Sequence, residues 1–270
     1  MQIPAFPLPS NMTKTIYFRV PNVEDGLEFC ELNPDFEEAN TTQYLNHMQD
    51  VKKGEISDSS YWTGEDRRTA LWWIFIATSE LGTIPFSYDC KHCKERHYSD
   101  LDMRSLMDTS TVLPSLPELS VKFTVRDQPY TANVSPLTGE ALEYIEQLRN
   151  ERDQFPENSK EWKRAANNMA LHELAMTLTF PQQPKDKNEA LEWKLNTIKS
   201  MHLRTEFPKL SALVEQEIRT ARHGLLCDYN EGRYYLVAQI NQCKEIVKQG
   251  GEAVRTLLLP FLAHDFIATF

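Results

Sequence analysis

Cys90 and Cys93 form a C-x-x-C, and the run Cys90-Lys-His-Cys93-Lys-Glu-Arg-His97 adds two imidazoles. Aromatic residues alternate on both sides, in Ile84-Pro-Phe-Ser-Tyr-Asp and Tyr98-Ser-Asp-Leu-Asp. That pattern predicts a hairpin with the cysteines at its tip. A tight turn can point two thiolates at one centre about 2.3 Å away, as in a zinc knuckle. Structural zinc takes four ligands. His97 or His92 is a candidate third, and Cys227 or Cys243 is a candidate to close the site from a distance. The ligand set expected is Cys90, Cys93, His97 and Cys243, with zinc as a structural cofactor. The competing reading is a metal-free hairpin of reduced cysteines. A redox dithiol is disfavoured, because no helix starts at Cys90 to lower its pKa.

Other catalytic patterns fail on spacing. His172-Glu173 begins like a zincin motif, but Met176 stands where the second histidine belongs. There is no G-x-S-x-G, P-loop or G-x-G-x-x-G, and nine glycines in 270 residues are few for cofactor-binding loops. Cys30 sits among acids, which raise a thiol pKa. The chain therefore reads as a non-enzyme, with no catalytic residue assigned.

The five cysteines, an odd number, argue against a disulfide framework. With 39 acids against 29 bases the formal charge is −10, which disfavours nucleic acid and anionic membranes as partners. No apolar stretch approaches the roughly 18 residues of a membrane span. The first residues lack the basic and apolar regions of a signal peptide, so synthesis in the cytoplasm is expected. Residues 1–60 carry ten acids and four bases, and this excess is expected to form a solvated face.

The elements that must position the cysteines are an α+β set. Lys14–Val20 reads as a strand, and Val23–Leu32 and Glu37–Val51 have helical spacing. The clearest helix is Glu65–Leu81, capped by Thr63 and ended by Gly82. Its Leu71, Ile74 and Phe75, with at least one of Trp72 and Trp73, are expected in the core. Glu118–Arg126 and Pro129–Val134 form a second hairpin around Asp127-Gln128. Helices are then expected to about Arg152, over Lys160–Thr179, Asn188–Leu203 and Lys209–His223. Gly232–Cys243 is ambiguous between strand and helix. The apolar tail from Leu257 to Phe270 must be covered, by its own chain beside the Trp-rich helix or by a partner. This predicts a β-rich first half (residues 1–136) carrying the cysteine hairpin and a mainly helical second half (residues 137–270).

Several stretches, taken in order, resemble a known family. They are Leu8-Pro-Ser-Asn-Met-Thr-Lys, Asp66-Arg67-Arg68 opening the Trp-rich helix, the C-x-x-C hairpin ending in Asp100-Leu101-Asp102, and Ser135-Pro136-Leu137-Thr138-Gly139. His223-Gly224-Leu225, Leu259-Pro260-Phe261 and Asp265-Phe266 follow. The order is similar to that in baseplate hub and tail-assembly proteins of T-even (T4-like) phages. Each motif is short, but together they span nearly the whole chain. The family's pattern has a second cysteine pair between His-Gly and Leu-Pro-Phe, where this chain has only Cys243. That departure bears directly on a four-cysteine zinc site.

The resemblance implies a non-enzymatic structural hub subunit, made in the host cytoplasm and located in the virion at the tail baseplate. Its partners would be other tail proteins, hub or tape-measure. The alternatives are an assembly chaperone that leaves before the virion matures, and a zinc-knuckle adaptor from outside the phage context.

Overall fold

The computed structural model describes residues 2–90, 93–241 and 254–267. Its α+β elements are interleaved along the chain. The hairpin β1 (Phe6–Leu8) and β2 (Asn11–Ile16) leads into helices α1 (Val23–Glu28), α2 (Glu37–His47) and α3 (Gly64–Thr78). The cysteine hairpin follows as β3 (Thr83–Asp89) and β4 (Arg96–Asp102), then β5 (Leu119–Val125) and β6 (Gln128–Val134). Helices α4 (Gly139–Asp153) and α5 (Lys160–Thr177) precede the short β7 (Leu178–Thr179), and α6 (Lys187–Lys199) and α7 (Phe207–Thr220) follow it. The chain then returns to strands in β8 (Cys227–Asn230), β9 (Arg233–Asn241) and β10 (Val254–Pro260).

The division into a β-rich first half and a helical second half is thus corrected. Three helices precede the cysteine hairpin, and a three-stranded antiparallel sheet, ordered β10-β9-β8, comes late. The run Tyr234-Tyr235-Leu236-Val237 is a strand because Tyr234 and Leu236 face the core while both neighbouring strands satisfy its backbone. The segment after Asn241, including Cys243, lies outside the described residues. No described helix is long and apolar enough to cross a membrane.

Two hydrophobic cores hold these elements. The larger gathers β1, α2, α3, the start of α4 and the C-terminal sheet. The smaller packs β5, β6 and β7 against α6 and α7. Helix α3 lies at the centre of the first. Thr63 Oγ1 accepts the Asp66 N–H at 3.1 Å, the expected cap. Leu71, Trp72 and Ile74 are buried, whereas Phe75 is half-buried against Phe266, with ring centres 5.6 Å apart. Phe261, Ala263, Phe266 and Ile267 are also buried, so the described part of the apolar tail is covered by its own chain, beside the Trp-rich helix.

The acidic N-terminal region is not all solvated. Asp25 is buried, takes a bidentate bond from Arg19 at 2.6 Å and meets His47 Nε2 at 2.7 Å. The Arg19 guanidinium holds its carboxyl well below the usual carboxylate range. Glu38 is buried on α2 and pairs with Arg68, while Arg67 Nη2 donates to the Glu38 carbonyl at 2.5 Å. Charges that look like a solvent face in sequence here join α2 to α3.

At the β5–β6 hairpin the turn is Arg126-Asp127, one residue earlier than expected. Both have positive φ, 49° and 63°, the conformation of a two-residue type I′ turn. Glu206 accepts the N–H groups of Arg126, Asp127 and His202 at 3.1, 3.2 and 2.8 Å, and these bonds pull its carboxyl down to about 2.

Candidate metal centre

β3 and β4 pair in unbroken antiparallel register from Thr83 opposite Asp102 to Asp89 opposite Arg96. Residues 90–95 make the connection. The Cys90 N–H donates to the Glu95 carbonyl and the Lys94 N–H to the Cys90 carbonyl, both at 2.9 Å. Lys94, directly after Cys93, reverses the chain with φ 63°. This turn turns both cysteine side chains toward the start of β4, where His97 is the second residue.

His97 lies opposite Tyr88 in the ladder, with the two rings stacked at 5.3 Å. Tyr88 stacks in turn on Phe86 at 6.2 Å, and Phe86 packs against the larger core. An aromatic ladder thus runs from the core to the tip and fixes the imidazole plane. On the tip, Cys93 Sγ and His97 Nε2 are 3.0 Å apart, and the ligand atoms of Cys90, Cys93 and His97 all lie within 4.8 Å of one another. Cys90 is buried, and Cys93 and His97 are half-buried.

The donor set suits a borderline-soft divalent ion. Two sulfurs and one imidazole nitrogen are the ligands of structural zinc, and tetrahedral zinc sets its donors about 3.5–3.8 Å apart. The Cys93–His97 edge at 3.0 Å has to open by about half an ångström to meet that spacing, and no edge exceeds 4.8 Å. Of the ligands expected from sequence, Cys90, Cys93 and His97 come together, and Cys243 lies outside the described residues, as does His92. Cys227 is elsewhere: it lies on β8 against the larger core, and burial pushes its thiol up to about 12, which keeps it protonated. Cys30 is exposed after α1, its thiol donating to the Leu27 carbonyl at 3.0 Å. His172 is buried on α5, with Nδ1 2.7 Å from the Asn168 carbonyl, and is not part of the cluster.

Sequence spacing did not single out the buried ionic groups around α3. Arg67 and Arg68 are buried there together with Glu38 of α2, and Glu146 and Arg149 of α4 pair at 3.2 Å. Arg68 also lies over the rings of Tyr234 and Phe261, at 4.9 and 5.4 Å from their centres. Asp66-Arg67-Arg68 was legible as a motif, but nothing in its spacing announced burial.

The chain matches no protein-family model, no curated protein and no solved structure.

Proposed function

We propose that this chain is a non-enzymatic structural subunit in the assembly of a phage tail baseplate hub. Its docking element is the β3–β4 hairpin, stiffened by a zinc ion held by Cys90, Cys93 and His97. The observation that supports this reading is the isolation of the hairpin's tip, since only the base, through Ile84, Phe86 and Leu101, meets the larger core. β3 and β4 form a two-stranded sheet of their own, and Cys90 with Tyr88 and Cys93 makes a small cluster apart from both cores. A two-stranded hairpin is marginal in water, and a tip without a core gains most from a metal crosslink. Such a metal supplies folding free energy and no reaction.

Tyr98 is 80% exposed on β4, beside the triad. An exposed aromatic on a stiff strand is the kind of anchor that dominates protein–protein binding. The tail context rests on the ordered motifs of the sequence. The acidic charge supports protein partners, hub or tape-measure, over nucleic acid or membrane.

Mass spectrometry of purified virions tests the assignment. The chain should be present at a fixed ratio to other tail proteins, and a Tyr98→Ala variant should fold yet fail to incorporate. Presence in tail-assembly extracts but not in virions would replace the structural subunit with an assembly chaperone. Turnover of a substrate, or tight binding of nucleic acid at physiological salt, would overturn both.

A further inference from the structure

A cleft of about 660 Å³ lies between α5, α7, β8 and β9 and reaches the first turn of α3. The cysteine hairpin contributes nothing to it. Leu174, Phe207, Val214 and Ile218 give it an apolar wall. Polar groups line the cleft as well. Tyr229 and Tyr234 stand with ring centres 4.9 Å apart, and the Tyr229 hydroxyl donates to Glu173 Oε1 at 3.1 Å. Glu65 also lines the cleft, and its Oε2 is buried with no hydrogen-bond partner among the described residues.

The charges in the cleft do not balance. Four carboxyls line it, from Glu65, Glu173, Glu215 and Asp228, against the two guanidiniums of Arg219 and Arg222. Arg219 is taken by Glu215, one helical turn away on α7, where both are exposed. His223 is buried with both ring nitrogens engaged: Nδ1 meets the Ala221 carbonyl and Nε2 the Thr63 hydroxyl, each at 2.6 Å. Both ring nitrogens are thus taken by these two partners, and neither bonds to Glu65 or Glu173. Among the described residues neither Glu65 nor Glu173 has a salt-bridge partner. Arg68 acts on Glu65 and Arg152 on Glu173 only at a distance, and a buried carboxylate with no contacting cation takes up a proton or acquires a positive partner. Burial indeed pushes both carboxyls upward.

We propose that this cleft binds a small aliphatic primary ammonium compound, with its stem on the apolar wall and its head between Glu65, Glu173 and the tyrosine rings. An ammonium has three divergent donors and can reach separate acceptors, and its charge is attracted by aromatic faces. A guanidinium fork needs two unengaged oxygens on one carboxylate. Glu173 already has one oxygen bonded to Tyr229, so a fork could engage only Glu65 and would leave Glu173 without a contacting cation. The inference does not depend on the hairpin, the zinc or the tail assignment.

Titration calorimetry on the full chain near neutral pH tests it with n-hexylamine, n-hexanol and hexanoate. Hexylammonium should bind at one site at least about tenfold more tightly than hexanol, and hexanoate more weakly than either. Glu65→Gln and Glu173→Gln should each bring hexylammonium toward the affinity of hexanol while leaving hexanol unchanged. Val214→Trp should fill the cleft and abolish binding of both. Equal affinities for amine and alcohol, or no saturable binding of hexylamine, would overturn the proposal. The wild-type series decides this even if a variant fails to fold. The same head and stem occur in a lysine side chain, so N-acetyl-lysinamide is a further arm. Tighter binding of that compound than of hexylamine would overturn the small-molecule reading in favour of a partner's lysine.

Discussion

The guanidinium of Arg67 lies directly against Cα of Gly139, so close that a Cβ on Gly139 would overlap its Nη1. Arg67 is fully buried on α3, and Gly139 opens α4. The two helix starts are tied side by side, the Gly64 N–H donating to the Leu137 carbonyl at 3.0 Å and the Gly139 N–H to the Trp62 carbonyl at 2.9 Å. A side chain at Gly139 would push the buried arginine off its partners. Gly139→Ala in an open helix would gain about 0.5–1 kcal/mol. Here it should instead destabilise by about 1–3 kcal/mol, the usual cost of overpacking. Urea unfolding of the two proteins checks the sign, and a stabilised variant would disprove the close approach.

Glu146 gives stability a particular pH dependence. It is buried on α4, accepts the Glu38 N–H at 2.9 Å, and burial raises its carboxyl to about 7. The native state therefore holds a proton that the unfolded chain has released, over the window from about 4.5 to 7. Stability from this group is full below that window and is lost as pH rises through it, by an amount on the order of a few kcal/mol. Asp25 and Glu38 act oppositely, since both are held below their usual range and lose their contribution as pH falls through the acid region. Chemical denaturation from pH 4 upward should thus show stability falling between about 5 and 7. Glu146→Gln should flatten that fall, because an amide oxygen can still accept the Glu38 N–H. An unchanged slope would show that Glu146 is not its source.

Phe75 and Leu71 should separate in a truncation experiment. Leu71 is 0% exposed, whereas Phe75 is half-buried with one face on Phe266. Leu71→Ala should cost about 2–5 kcal/mol. Phe75→Ala should fall short of the about 3–5 kcal/mol of a fully buried ring. A double-mutant cycle with Phe266→Ala should show coupling of about 0.5–1.5 kcal/mol, the value of an aromatic pair. Zero coupling would mean that the tail does not rest on α3 in solution.

Local signals carried the sequence reading furthest. Thr63 caps α3, Ser159 caps α5, and the aromatic alternation around Cys90 and Cys93 does form a hairpin, because each depends on residues a few positions apart. The long-range partners were not legible. Glu38 and Arg68 are thirty positions apart and meet in the core, yet an acid on α2 looks the same in sequence whether it faces water or a buried arginine. The strand character of Arg233–Asn241 depends on partners on both sides, β8 and β10, so its own composition was ambiguous. The three-ligand cluster was legible in part, since Cys90, Cys93 and His97 are local, while the cleft beside Glu65 is assembled from at least five separate stretches of chain and left no trace in spacing.

The metal centre yields the final prediction. Protein purified without chelator should contain close to one equivalent of zinc, and less than about a tenth would reject the site. Cys90→Ser, Cys93→Ser and His97→Ala should each lose the metal, because all three donors come from the tip. Cys227→Ser should keep it, since that thiol sits in the larger core and burial keeps it protonated. Cys243→Ser decides whether the remaining tetrahedral position is filled by a distant thiol. Because the tip cluster is separate from both cores, stripping zinc should loosen the hairpin and leave the rest folded. Amide hydrogen exchange should then speed up over residues 83–102, while α3 and the β5–β6 hairpin keep their protection. Uniform loss of protection would mean that the metal holds the whole fold. Unchanged protection throughout, with zinc removed, would mean that β3 and β4 stand without it and that the tip is a binding device rather than a clamp.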